Sequence, residues 1–224
     1  MNTVHATAPI AAMVGGQRCH GPAIAARLEH DGYAVLPLRG GDAAIDGQDG
    51  VPADTAVALL VVNVPVARAG LRFADIGDAD FDAALQDQVF DTVATIQAVL
   101  PRMGAGSRIV LVGARGHLGA WGGAHHMAAG AALVALVRSL ALELAPQGIR
   151  VNLVAADFVE ADTTGTPASP AIARAVSYLG DADTGVSGET LLMDGNAGLR
   201  MSESRKPRTG PRDATADAAR SRGL

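Results

Sequence analysis

The sequence predicts an α/β fold, a parallel β-sheet covered by helices on both faces, and three observations carry that prediction. Short continuous apolar runs recur at 9–14, 33–38, 58–62, 108–112, 149–155 and 190–193. Longer segments with helical spacing lie between them, at 22–30, 80–102, 125–144 and 171–179. The first run passes directly into the glycine-rich string GGQRCHG at 15–21 and then into the first helix. Unbroken apolar runs fit strands buried on both faces, and alternation of such strands with helices is the pattern of a parallel sheet.

In chain order, the strand at 9–14 turns through glycines into a helix that carries Pro22 in its first turn. A missing N–H costs little there, because the first amides of a helix have no intrahelical acceptor. The strand at 33–38 completes a βαβ opening. Only the segment 40–57, rich in Gly and Asp, separates it from the strand at 58–62. A helix, strand and helix take roughly 25 to 30 residues at average lengths, so the chain is shortened here. The helix at 80–102 stops at Pro101-Arg102-Met103-Gly104, and that at 125–144 at Ala145-Pro146-Gln147-Gly148. The helix at 171–179 leads to the last strand, closed by Asp194-Gly195. From Met201 the apolar periodicity ends, and six basic residues stand against Glu203, Asp213 and Asp217. That composition predicts a disordered, solvated tail at 201–224 after a single domain at 1–200.

With 49% hydrophobic and 18% charged residues and a net charge of -5, the balance argues against nucleic acid and anionic lipid as partners. The single cysteine, Cys19, excludes an internal disulfide and a cysteine metal cluster, and no signal-like leader opens the chain. A reducing cytoplasm is the expected location. The most apolar stretches, 56–66 and 131–145, read as too short, or too interrupted by Arg138 and Glu143, to cross a bilayer.

Four strings resemble one family. RSLALELAPQGIRVNLVA at 138–155 is similar to a helix and the sixth strand of the short-chain dehydrogenases/reductases, and SGETLLMDG at 187–195 to their final strand. FDAALQDQVFDTVATIQAVLPRM at 81–103 matches their interface helix, and SRIVLVG at 107–113 their fifth strand. The resemblance covers about 9–199. It implies a Rossmann-like doubly wound sheet, shortened after the second strand and in the substrate-loop region, and NAD(P)-dependent oxidoreduction.

In that register the four catalytic positions of the family hold other residues. Gln88 stands for the asparagine, Gly113 for the serine, His126 for the tyrosine and Gly130 for the lysine. Carbonyl reduction in the family resembles general acid catalysis by a phenol, its pKa lowered by an ammonium that also holds the nicotinamide ribose. Gly130 offers neither charge nor side-chain hydrogen bond. An imidazole at His126 could transfer protons near neutral pH, but a partly exposed histidine at a helix start is the favoured reading. His125 beside it makes no metal site, since neighbours on a helix point apart and no HExxH or carboxylate spacing accompanies them.

The cofactor positions are altered as well. The pattern T-G-x-x-x-G-x-G falls on VGGQRCHG at 14–21, which keeps Gly15 and Gly21 but places Cys19 where the backbone should approach a pyrophosphate. Arg39 stands where NAD-using members carry an acid, so NADP is favoured over NAD if either binds. Asn63 alone remains of the N-N-A-G segment, and Ala156-Asp157 replaces Pro-Gly after the sixth strand. No cofactor, or weak NAD(P), is expected. The helices at 80–102 and 125–144, which form the family's four-helix dimer interface, are retained. The expectation is therefore a non-catalytic subunit that pairs with a catalytic short-chain dehydrogenase or with itself, as in a hetero-oligomeric acyl-CoA dehydrogenase of the family. An oxidoreductase using His126 as proton donor is the alternative. A ligand-sensing regulator ranks third, because the tail has no helix-turn-helix pattern.

Overall fold

The computed structural model describes residues 8–39, 54–65, 71–119, 122–156 and 168–193. Most of the shortened connection at 40–57, Asp157, the substrate-loop region, Asp194-Gly195 and the tail at 201–224 lie outside the described residues. The elements follow the expected order. They are β1 (Ile10–Val14), α1 (Gly21–His30), β2 (Ala34–Leu38), β3 (Val57–Asn63), α2 (Asp78–Leu85), α3 (Asp91–Val99), β4 (Arg108–Ala114), α4 (Ala124–Leu144), β5 (Arg150–Ala156), α5 (Ala168–Gly180) and β6 (Thr190–Met193). All neighbouring strands are parallel, in the order β2-β1-β3-β4-β5-β6. The chain reverses its winding between β1 and β3, and ligands of such sheets bind beside that point, outside the carboxyl ends of the strands.

Side chains alternate across each strand, so every strand feeds two cores. Ala12, Val14, Leu60, Val62, Ile109, Leu111, Val151 and Leu153 meet Ile96 and Val99 of α3 and Leu133, Val137, Ala141 and Leu144 of α4. Their neighbours Ala11, Met13, Leu59, Val61, Val110, Val112 and Val154 meet Ile24 and Leu28 of α1 and Ile172, Val176 and Leu179 of α5. Both layers are needed because an uncovered face would leave a sheet of apolar side chains in water.

Two helices differ from expectation. The segment at 80–102 is not one regular helix. It starts at Asp78, where the Gly77 N–H donates to Asp80 Oδ2 at 2.9 Å, and a π turn at Gln86–Phe90 separates α2 from α3. The wider turn is tolerated where a side chain must be re-aimed, and Gln88 lies inside it. Helix α4 runs for 21 residues without a break at Arg138. By length and composition it passes the test for a membrane span, as core helices also do, and its Leu133, Val137, Ala141 and Leu144 pack on the protein's own sheet.

At the amino ends of the strands, buried Arg108 joins three segments of the chain. Its Nε donates to the Gly180 carbonyl at the end of α5 at 2.7 Å, its Nη2 to the Tyr33 hydroxyl at 2.8 Å, and its Nη1 to the Gly106 carbonyl. A cation at a helix C-terminus is favoured by the helix dipole, which compensates for burial without a carboxylate partner. Arg108→Met should destabilise the fold by about 3 kcal/mol in urea unfolding, since two carbonyls and a hydroxyl lose a charged donor. Tyr33→Phe should cost about 1 kcal/mol.

Candidate functional site

Because the strands are parallel, their carboxyl ends gather at one edge. The glycine turn follows β1, Arg39 follows β2, and Asn63 and Gly113 lie in the last turns of β3 and β4. Helices α2 and α4 begin on the same edge, which brings Gln88 and His126 together although 38 residues separate them. Buried Gln88 places its Nε2 3.0 Å from His126 Nδ1. An amide nitrogen only donates, so Nδ1 accepts and the neutral imidazole carries its proton on Nε2. Two of the four expected positions are thus bonded to each other, an arrangement their spacing does not reveal.

The expectation that His125 and His126 point apart is not met. Their ring centroids lie 4.1 Å apart, and Phe81 of α2 presses edge-on against buried His125 at 5.9 Å. Adjacent side chains leave a helix in different directions, but at its first turn, with α2 packed against one of them, both rings can lean together. Among the described residues, no group of three His, Cys, Asp or Glu is placed to hold a metal. Burial lowers the pKa of His126 below the ordinary imidazole value, His125 adds to that shift, and Asp87 and Asp80 oppose it.

The glycines are packing positions here. A Cβ on Gly130 would meet Gly116 Cα at 3.4 Å, and one on Gly116 would meet the Met127 carbonyl at 3.0 Å. The segment Gly116–Leu118 therefore rests on the α4 backbone in the direction that a side chain at 130 would take. A Cβ on Gly113 would point at Leu133 and Leu153, into the core.

At the β1 end, Gly15 has φ +75° and approaches Asn63 so closely that a Cβ would lie 2.4 Å from its carbonyl oxygen. Buried Asn63 donates through Nδ2 to the carbonyls of Gly15 at 3.0 Å and Arg18 at 3.2 Å. Arg18 Nη1 donates back to the Asn63 carbonyl at 3.3 Å. Cys19 is exposed with φ +20°, and His20 is buried, its pKa lowered by that burial. Arg39 is exposed at the end of β2. Arg18 is the member of this cluster that sequence reasoning passed over. Its only signal was its place within the glycine string.

The family model for enoyl-(acyl carrier protein) reductase matches residues 54–177. A solved short-chain dehydrogenase/reductase from Serratia marcescens is 26% identical with a TM-score of 0.69, over 84% of this chain and 96% of its own. The chain belongs to the short-chain dehydrogenase/reductase family. It is 30% identical to subunit BbsD of a Thauera aromatica hydroxy(phenyl)methylsuccinyl-CoA dehydrogenase, over 71% of this chain and 73% of that one. To subunit BbsC of the same name it is 34% identical, over 58% and 59%.

The chain resembles the family's NAD(P)-dependent oxidoreductases, and the glycine turn is where a dinucleotide pyrophosphate would be tested for fit. A helix N-terminus holds phosphate through its first amides. In α1, the Gly21 N–H already donates to the Arg18 carbonyl, the Ile24 N–H donates to the His20 carbonyl, and Pro22 has none. Cys19 stands where the resemblance expects the middle glycine, and Gly130, where it expects a lysine, carries no side chain for a ribose.

Two outcomes follow from this geometry. His126 has a lower pKa folded than unfolded, so the unfolded chain binds more protons. Its contribution to stability is full above pH 6.5, the ordinary imidazole value, and is lost as pH falls through the lower folded value. Urea midpoints measured from pH 8 to pH 5 should fall in that window, and His126→Gln should flatten the decline while His20 sustains the remainder. Gly116→Ala, whose Cβ would lie 3.0 Å from the Met127 carbonyl oxygen, should lower stability by about 1–3 kcal/mol in the same assay through overpacking against α4.

Proposed function

We propose that this chain is a non-catalytic subunit that pairs, through α2–α3 and α4, with a catalytic short-chain dehydrogenase. The observation that carries the reading is the outward face of α4. Only a third of its most apolar eighteen-residue window is buried. Ala128, Ala131, Ala135, Ser139 and Leu142 follow one another at spacings of three and four, all exposed, with Leu142 at 79%. Phe90, in the π turn between α2 and α3, is 54% exposed. A helix apolar on nearly all sides needs cover on nearly all sides, and the sheet can supply only one. That two relatives bear the name of subunits of one dehydrogenase supports a mixed assembly.

Catalysis is absent on this reading because no phenol, ammonium or serine hydroxyl stands at His126, Gly130 or Gly113. NAD(P) binds weakly or not at all, with NADP preferred through Arg39. The bond between Gln88 and His126 favours a second reading, an oxidoreductase in which the His126 Nε2–H donates to a carbonyl.

Purification of the tagged chain from its native cells should bring down a family member with intact catalytic residues at fixed stoichiometry. Ala135→Arg should abolish that association and leave thermal unfolding of the isolated chain nearly unchanged, since the side chain is exposed until a partner covers it. Sedimentation of the wild type as a monomer, alone and with each co-purified relative, would remove the subunit reading. Carbonyl reduction by the isolated chain, lost in His126→Ala, would establish the second reading instead.

A further inference from the structure

We propose that the paired imidazoles of His125 and His126 form an acid-released catch that holds α2 against α4. The catch lies beside the face assigned above to a partner, so its consequence for assembly rests on that reading, whereas its opening is a property of the isolated chain.

Helix α2 has little else to hold it. Ala84 is its one buried residue, and it supplies no side chain to the core beneath α3 and α4. Segments with so few buried apolar contacts are the first to open locally. Two side-chain contacts join α2 and the π turn to the start of α4. Phe81 packs against His125 with ring centroids 5.9 Å apart, and Gln88 Nε2 lies 3.0 Å from His126 Nδ1. Both end on the two histidines, whose own rings are 4.1 Å apart.

The second contact requires a neutral ring. Nδ1 of His126 accepts the Gln88 N–H, and a proton on Nδ1 would set two donors face to face. Turning the Gln88 amide over would offer Oε1 instead. A charged ring would still lie 4.1 Å from His125, which is 2% exposed and whose Nδ1 has no hydrogen-bond partner. A buried charge beside an unpartnered polar group is unfavourable, and opening of α2 relieves it by admitting water. The charged groups that reach the pair do not reverse this. Burial and, after it, His125 oppose a proton on His126, Asp87 of the π turn and Asp80 of α2 favour one, and the opposition prevails. The turn Gly116–Leu118 also packs on α4, bringing His117 with Arg115 just before it, and neither is a cause of that shift. His126 therefore holds a proton more tightly once α2 has opened, so opening is favoured as pH falls below 6.5, the ordinary imidazole value.

Hydrogen exchange of the full-length chain, followed from pH 8 to pH 5.5 in peptides covering 78–90 and, as a control, 171–180, tests the catch once each rate is divided by the intrinsic rate at that pH. The range ends above the ordinary carboxylate pKa of about 4, so that Asp80 keeps its charge and its bond to the Gly77 N–H. Below pH 6.5 the opening of 78–90 should rise by up to about tenfold per pH unit, the limit for one proton taken up, while 171–180 stays level. His126→Gln should abolish the rise. His125→Phe, which keeps a ring against Phe81 but removes the second imidazole, should reduce it, and it serves as the test if the glutamine variant is poorly folded. A level profile for 78–90 in the wild type, a rise undiminished in both variants, or an equal rise in 171–180 would overturn the catch. The exchange result needs no partner, so failure of the subunit reading, seen as a monomer that no relative accompanies, is distinguishable from failure of the catch.

Discussion

A parallel strand in the middle of a sheet has apolar side chains on both faces and no way to hide either from water unaided, and this demand for cover on two sides shapes the whole molecule. It requires crossover helices on both faces, and it alternates each strand's residues between the α3–α4 core and the α1–α5 core. It also brings the carboxyl ends of the strands to one edge. Gly15, Asn63, Gln88 and His126 share that edge because the crossovers leave them there, however distant they are in sequence.

At that edge the expected catalytic and cofactor positions are in contact with one another and with their neighbours. Beside Gly130, the backbone at Gly116 is in contact with α4. With glutamine at 88 and histidine at 126, the two side chains bond to each other and to no phenol or lysine. With Arg18, Cys19 and Pro22 in the first turn, the amides and the guanidinium are turned inward on Asn63 and on the turn itself. Gln88, His126 and Asn63 have partners there, whereas buried His125 Nδ1 has none.

Helix α4 carries the opposite imbalance. Its inner side is complete, with Leu133, Val137, Ala141 and Leu144 buried, while Ala131, Ala135 and Leu142 face outward. Residues of this size are poor at earning water solubility and good at close approach, so the same helix that finishes the monomer's core leaves a surface suited to another helix. The reading as a subunit grows from this surplus of apolar area, and not from the empty catalytic positions alone.

The order of elements, the parallel sheet and the family were legible in the sequence, because buried strands announce themselves as unbroken apolar runs and the strings at 81–103, 107–113, 138–155 and 187–195 keep their register. The residues that the resemblance expects at the four catalytic positions, Gln88, Gly113, His126 and Gly130, were legible from the same register. Which of those residues touch was not. Hydrogen bonds such as Gln88 to His126 and Arg18 to Asn63 join segments 38 and 45 residues apart, and the π turn that aims Gln88 has no signature in spacing. The leaning of His125 onto His126 depends on Phe81 from another helix, and the exposure of α4 depends on how much of it one sheet can cover. Sequence determined which groups were available, since periodicity and composition are local properties. Only the tertiary structure decided which were paired, because pairing is set by the distances that packing leaves between elements far apart in the chain.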